Sequence, residues 1–492
     1  MNLLSYFPIV SLSPEELWCI LPILAISFGG LFSIIGGATK NRGRDLAFSI
    51  SLLSVLICMG LICTSVFKPN VSLLRETLIF SPFTRTISLM ALLFSLMALI
   101  HTHGEDQKEG IHAEVYGLIL FSTAGMMLIL STHHLLFTFI SLEIMSFAVY
   151  VLVAMRRLSR FSSEAGLKYF ILGGLGSAFF LYGTSLIFGA TGSLNLVDIK
   201  DFLLKNPHPS FIYYVGMGLI LAAMLFKIGA FPFHGWVPDV YQGAPSHITG
   251  FMGAAVKFTA FVAFARLAQH LIFVDHVVHL EWFQSAIGLV CVASMIYGNF
   301  VAIAQNEIKR MLSFSTIAHT GYLLLGLYAM GRGEVSSQYL ILYLFFYALS
   351  NQGAFAVISI FEDRNQKDLR LDQMAGLGMK YPLMGALLTV FILSMAGIPL
   401  TAGFIGKYSI FSSAIQSGEI PLVVIAVLTS VVSVFYYLRI VVVMFMKEGD
   451  KDVATFHVLK GASFVAIVTA LATLQFGVFP RAIIQFIKQI SQ

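Results

Sequence analysis

Long apolar runs separated by short polar links dominate this chain. A bilayer core about 30 Å thick takes about 20 apolar residues per helix. Fourteen runs have that character, at about 17–37, 46–67, 82–101, 115–132, 134–155, 167–189, 211–234, 247–271, 282–304, 309–330, 338–361, 381–415, 420–446 and 459–479. They are continuous and not alternating, which excludes a β-barrel. The longest polar stretch, Glu362 to Lys380, is too short for a soluble domain. The pattern predicts an all-α polytopic membrane protein with about 14 transmembrane helices.

Two runs are interrupted. One reads Lys227-Ile228-Gly229-Ala230-Phe231-Pro232-Phe233, followed by Pro238. The other reads Met395-Ala396-Gly397-Ile398-Pro399-Leu400, with Gly403 and Gly406 before Lys407. Proline removes a backbone donor and breaks the helical ladder. Open backbone at membrane depth survives only inside protein or along a cavity. Grouping the spans as 115–271 and 282–446 puts a break in the fourth span of each five-helix unit. Five is odd, so the second unit enters from the opposite side and the two form inverted repeats, each with a broken helix. Residues 1–114 then form an N-terminal three-helix segment, and 447–492 a C-terminal helix.

Composition sharpens this picture. Hydrophobic residues make up 58% of the chain and charged residues 11%, against roughly 25% charged in soluble proteins. Mean hydropathy is +0.86. A soluble enzyme, a disordered protein and a nucleic-acid-binding protein are all excluded. The net charge of +5 comes from residues scattered over loops and implies no polyanionic partner. Cys19, Cys58, Cys63 and Cys291 show no C-x-x-C spacing and read as small apolar residues. No basic region precedes the first run, so it is expected to remain as a span and not to be cleaved as a signal.

Orientation follows the positive charges. One set of loops holds Lys40, Arg42, Arg44, Lys108, Arg156, Arg157, Arg160, Lys309, Arg310, Arg364, Lys367, Arg370, Lys380, Lys447, Lys451 and Lys460, with Arg439 near the same side. The opposite set is smaller: Lys68, Arg75, Arg85, Lys200, Lys205, Arg266, Arg332, Arg481 and Lys488. The richer set is expected inside, with both termini outside.

A few ionisable residues belong to neither set. Glu143 lies nine residues into its span, about 14 Å deep. Lys257 lies about 15 Å deep by the same arithmetic, and Lys227 follows sixteen residues of its own span. Lys407 follows the second break. A central charge costs about 2.5–3.5 kcal/mol on insertion scales, so such residues mark ion or proton routes. Desolvation eases deprotonation of a lysine and a nearby carboxylate opposes it, so relative movement of the two can switch a proton on and off. Lys168 sits close to its span's end, where an ordinary snorkelling lysine also fits. His234 and His319 are relay candidates, although a single histidine in a span is often a hydrogen-bonded core residue.

These motifs resemble the antiporter-like membrane subunits of respiratory complex I. The resemblance rests on Ser141-Leu142-Glu143 with Tyr150-Val151-Leu152, on Glu164 through Phe170, and on Phe231-Pro232-Phe233-His234-Gly235-Trp236 through Pro245. It rests further on Lys309-Arg310-Met311-Leu312 with His319-Thr320-Gly321-Tyr322, and on Gly397-Ile398-Pro399 through Gly403-Phe404-Ile405-Gly406-Lys407. It covers nearly the whole chain. Asp239-Val240-Tyr241-Gln242-Gly243-Ala244-Pro245 is similar to the N type, lysine at 407 departs from the M type, and no long lateral helix of the L type is expected. Ser246-His247 departs from the family, whose members often have a second proline there.

The resemblance implies a proton-translocating subunit of NADH–quinone oxidoreductase. Glu143 and Lys227 would form the switching pair, Lys257 the central carrier and Lys407 the far end of the axis, with Lys168 and His234 as secondary groups. It implies no cofactor in this chain, with NADH, FMN, iron–sulfur clusters and quinone bound elsewhere. It implies as partners a neighbouring M-type subunit, the small subunits A, H, J and K, and the lipid bilayer, in a bacterial inner membrane with periplasmic termini. Two other readings remain open on residues alone. A stand-alone sodium/proton antiporter would share the fold and the charges. A passive scaffold would give no reason to keep lysines at depth.

Overall fold

The computed structural model describes residues 13–39, 42–74, 76–104, 112–156, 159–332, 337–362, 369–448 and 459–491. Lys40, Arg75, Lys108, Arg157, Arg364, Lys367 and Lys451, used above for orientation, lie outside the described residues.

Lipid offers backbone groups no partners, so each span closes its own hydrogen bonds as helix. The first three are α1 (Pro14–Gly37), α2 (Gly43–Cys63) and α3 (Pro82–Gly104), with a hairpin of β1 (Val71–Leu73) and β2 (Leu78–Phe80) between the last two. Ser13 and Glu16 form a reciprocal capping box at the start of α1.

The next five spans begin with α4 (Glu114–Ser131), α5 (Leu135–Val153) and α6 (Arg160–Thr191). A short amphipathic helix, α7 (Leu196–Lys205), precedes α8 (Phe211–Ile228), whose span continues past a break into α9 (Trp236–Gly243). The fifth is α10 (Ser246–Phe251), a π-helical turn at Met252–Val256, and α11 (Lys257–Leu271).

The following five are α12 (Leu280–Ile303), α13 (Ile308–Arg332), α14 (Gln338–Phe361), the broken pair α16 (Pro382–Ala396) and α17 (Ala402–Gln416), and α18 (Ile420–Met446), with the short α15 (Leu377–Lys380) before the pair. The chain closes with α19 (Lys460–Val478) and α20 (Arg481–Ser491).

Every apolar run of the sequence is therefore helical. Twelve helical spans among the described residues are individually long and apolar enough to cross a membrane. The others are α13, which carries Ser315, Thr316, His319 and Thr320, and α16 with α17, which are 15 residues each. The hairpin, α7, α15 and α20 lie outside the fourteen runs.

Burial is uneven. The spans Ser246–Leu271 and Gln338–Phe361 are wholly enclosed by protein, whereas only 28% of the apolar stretch of α6 is. The two enclosed helices pack against each other. They can carry polar side chains on any face, which a rim helix facing lipid cannot.

Both breaks are built alike. Gly229 (φ +70°) and Gly397 (φ +85°) end α8 and α16 in the left-handed conformation that glycine adopts without penalty. Ala230 N–H donates to the Leu225 carbonyl (2.9 Å) and Ile398 N–H to that of Leu393 (3.0 Å), closing a Schellman cap in each. The freed backbone is held by serines: Phe231 N–H donates to Ser294 Oγ of α12 (3.0 Å), and Gly403 N–H to Ser394 Oγ (3.0 Å).

Candidate functional site

The first cluster joins α5, α6 and α8. Glu143 and Ser146 are one turn apart on α5 and so share a face. Ser177 of α6 donates to the Glu143 carboxylate, and Lys227, in the last turn of α8, donates to Ser146 Oγ. Glu143 and Lys227 make no ion pair within 4.0 Å. They instead line one cavity, with about 20 Å³ open to a water-sized sphere, together with Gly173, Gly176 and Phe180. That is room for about one water between the two charges. A Cβ at Gly173 would fall 2.1 Å from Tyr150 Oη, so this glycine admits the tyrosine. Lys227 Nζ lies 5.8 Å from the Tyr150 ring.

The second cluster is at the centre. Lys257 is the first residue after the π-helical turn, a feature that often marks functional positions. Its Nζ donates to Thr320 Oγ1 (2.7 Å) and to the Thr316 carbonyl (2.8 Å). Thr320 Oγ1 also donates to the carbonyl of Ile228, the neighbour of Lys227 (3.2 Å). Thr316 Oγ1 bonds Tyr347 Oη (2.8 Å), and the Tyr347 ring lies 5.3 Å from Lys257 Nζ. His319 is clasped by Tyr343 Oη on Nδ1 (2.6 Å) and Tyr437 Oη on Nε2 (3.1 Å).

The third cluster surrounds Lys407 on α17. Its Nζ donates to the Ala396 carbonyl at the break (3.0 Å) and to Ser430 Oγ of α18 (2.9 Å). The Tyr322 ring lies 5.0 Å from the ammonium and 5.7 Å from the His319 ring. His319 is 4.8 Å from the Tyr347 ring, so one aromatic ring separates it from each of Lys257 and Lys407. The structure thus brings Glu143, Lys227, Lys257, His319 and Lys407 into one succession of polar groups.

Two candidates stand apart from it. Lys168, with its side chain 44% exposed, pairs with Glu164 (2.8 Å) and Asp239 (2.9 Å), and Asp239 also pairs with Arg310 (3.0 Å). These residues line a cavity of about 170 Å³ at the edge of α6, α9 and α13. His234 packs its ring against Phe231 (5.3 Å) and Tyr297 (4.5 Å).

Residues 131–433 match the family described as NADH:quinone oxidoreductase/Mrp antiporter, transmembrane. The chain belongs to that family. Among oxidoreductase/antiporter family members, NADH-quinone oxidoreductase subunit N of Trichlorobacter lovleyi is 37% identical over 473 residues, 96% of each chain. The protein of the same name from Bdellovibrio bacteriovorus is 35% identical over 477 residues, 95% of this chain and 96% of its own. A chain of respiratory complex I from Thermus thermophilus with bound aureothin superposes with a TM-score of 0.78 and 31% identity, covering 94% of this chain and 98% of that one. A chain of the Mrp complex from Dietzia sp. DQ12-45-1b shares the fold, with a TM-score of 0.83, 19% identity and 98% and 97% coverage.

The geometry adds polar partners to which the sequence reading assigned no role. Thr316 and Thr320 stand one turn apart on α13, and Tyr343, Tyr347 and Asn351 repeat every fourth residue on α14, a spacing that gathers them on one face. That periodicity was the available signal. Ser177, Ser430 and Tyr437 carried none, because single polar residues in spans are common. Among the described residues no group of three or more His, Cys, Asp or Glu side chains could hold a metal ion.

Just beyond the end of α14, Glu362 is a buried carboxylate held by Lys309 (3.1 Å), Arg156 (3.4 Å) and Ser246 Oγ (2.7 Å). Burial alone would raise its pKa, but Lys309 and Arg156 pull it down to about 2.

Proposed function

We propose that the chain is a proton-carrying, N-type membrane-arm subunit of an NADH–quinone oxidoreductase. The observation that carries this reading is the buried succession from the Glu143–Lys227 cavity through Thr320 and Lys257 to His319 and Lys407. Ammonium groups at this depth have a high insertion cost that packing alone does not recover. A route for protons accounts for several of them in one connected web.

In this reading Glu143 and Lys227 form the switch, bridged by water in the cavity between them. Approach of the carboxylate keeps the Lys227 ammonium charged, and its withdrawal lets the proton move on. Lys257 receives it by way of water and the Thr320 hydroxyl, and its own charge then favours discharge towards His319 and Lys407. The five-helix units 115–271 and 282–446 act as the two halves of the route. Lys168 with Asp239 and Arg310 forms a charged surface on the inner face, and His234 is a secondary group beside the first break. NADH, FMN, iron–sulfur clusters and quinone are assigned to other subunits, and energy from quinone reduction arrives through a neighbouring M-type subunit and the small subunits A, H, J and K. The termini face the periplasm of a bacterial inner membrane.

Lys257→Met tests this directly. The variant complex assembles and oxidises NADH with an artificial acceptor, but the number of protons moved per NADH falls in inverted membrane vesicles. An unchanged proton ratio overturns the role.

A further inference from the structure

Two neighbouring spans, α8 and α12, are tied together at their ends. Near the first break, Phe231 N–H donates to Ser294 Oγ (3.0 Å), and the Phe231 and Tyr297 rings lie 5.1 Å apart. At the other end, where both helices start, Tyr214 Oη donates to the Val278 carbonyl (2.7 Å) and Val278 N–H to that of Pro207 (3.0 Å). The Tyr214 and Phe283 rings stack there, 6.4 Å apart. Otherwise α8 packs mainly on α6, and α12 on α13. Between the two starts lies a groove of about 580 Å³, lined chiefly by His208, Phe211, Tyr214, His279, Trp282 and Phe283. Such a volume falls in the usual range for small-molecule sites, about 300–1,000 Å³. Gly218, one turn past Tyr214, leaves the seam below it open: a Cβ there would still be 3.7 Å from Phe283 Cε1.

The groove has an apolar floor that continues along the span. Phe211 is 79% exposed and Trp282 65%. Trp282, Leu289, Ile296 and Phe300 of α12 are all exposed and share one helical face. Over these 18 residues the apolar strip runs about 27 Å, close to the thickness of a bilayer core.

The rim has the opposite chemistry. His208 and His279 stand there with the Trp282 indole, whose N–H only donates. Among the described residues that line the groove there is no carboxylate. The N-caps of α8 and α12, Ser210 and His279, make no side-chain bond to the turns that follow them. Open N–H groups and aligned peptide dipoles give both helix starts partial positive charge. Tyrosine and tryptophan rings prefer the headgroup level of a bilayer. An anionic head on an apolar tail meets the rim and the floor together.

We propose that the groove between the starts of α8 and α12 holds a phospholipid. Its phosphate is met by His208, His279 and the Trp282 indole, and one acyl chain lies along the seam past Phe283 and Gly218. A lipid fits better than a protein segment, because the groove opens onto the apolar strip of α12 at the level where the rim rings place headgroups.

The test uses assembled complex in lipid nanodiscs doped with phosphatidylglycerol that carries a diazirine in one acyl chain. A matching diacylglycerol probe lacks the phosphate. After photolysis, labelled peptides are mapped by mass spectrometry. The expected result is several-fold more labelling of the α8 and α12 peptides by the phospholipid probe than by diacylglycerol. That excess should disappear in a variant combining His208→Ala, His279→Ala and Trp282→Ala, which alters only exposed side chains. It should also fall in Gly218→Leu, which fills the seam and leaves the rim intact, while labelling elsewhere on the complex stays the same. Equal labelling by the two probes, or an excess that survives the rim variant, means unselective contact with bilayer lipid and overturns the proposal. Absence of labelling by either probe means that a neighbouring protein covers the groove, and overturns it too.

Discussion

Several basic residues that count as loop charges in the sequence are buried caps. Arg266 is 9% exposed and donates to the carbonyls of Ile129 (3.2 Å), Leu130 (2.7 Å) and Thr132 (2.8 Å) at the end of α4. Arg85 does the same for Ser65, Lys68 and Pro69 after α2. The final carbonyls of a helix have no partner within it and carry partial negative charge, so a cation there satisfies both needs. Lys309 follows the same logic, donating to the Ala244 carbonyl (2.7 Å) while it pairs with Glu362. The sign of these charges was legible, but their burial was not, since it depends on partners 16 to 137 residues away. Glu362 yields a pH prediction. Its folded pKa, about 2, lies below the ordinary value of 4.5, so its stabilisation is fully present above pH 4.5 and is lost as pH falls through about 2. Glu362→Gln should therefore cost roughly 3 kcal/mol at neutral pH. The gap to the parent complex should narrow between pH 4.5 and 2, as read by thermal unfolding at each pH.

At the scale of elements, the two breaks show what spacing can and cannot reveal. Lys227-Ile228-Gly229-Ala230-Phe231-Pro232 and Met395-Ala396-Gly397-Ile398-Pro399 announce a stop by glycine and proline, and the chain obeys. The π-helical turn before Lys257 has no such punctuation. Gly253 occupies it because Asn351 presses against that face, a tertiary cause invisible locally. The capping glycines give a prediction. Gly229→Ala and Gly397→Ala each force a side chain into left-handed backbone, costing about 1–2 kcal/mol. They differ in where the new methyl lands: 2.6 Å from Val237 Cγ2 in the first, 2.9 Å from Lys407 Cδ in the second. Thermal stability should fall in both. The proton ratio should fall further in Gly397→Ala, because Lys407 itself must move. Equal ratios in the two variants would contradict a role for Lys407.

For the molecule as a whole, all fourteen runs and both broken spans were readable, because lipid imposes length and hydropathy on every span. The association of Lys257 with Thr316, Thr320 and Tyr347 was not, because it joins three helices that no pattern pairs. Orientation is testable at this scale. Lys205→Cys, exposed at the end of α7, should react with a membrane-impermeant maleimide from the outside of intact cells. Lys447→Cys, exposed beyond α18, should react only in inverted vesicles. The reverse pattern would invert the charge-based assignment.

The full enclosure of α14 has a consequence for how the protein is made. Its hydroxyl and amide groups, from Tyr343 to Ser359, are poorly suited to resting in lipid alone. Its neighbours include α3 and α10, synthesised earlier, and α16, α17 and α19, synthesised later. A ribosome pausing after Phe361 leaves this helix half-clad, sheltered by the first part of the chain on one flank only. Maturation then becomes a race between the arrival of the last helices and the proteases that police unfinished membrane proteins.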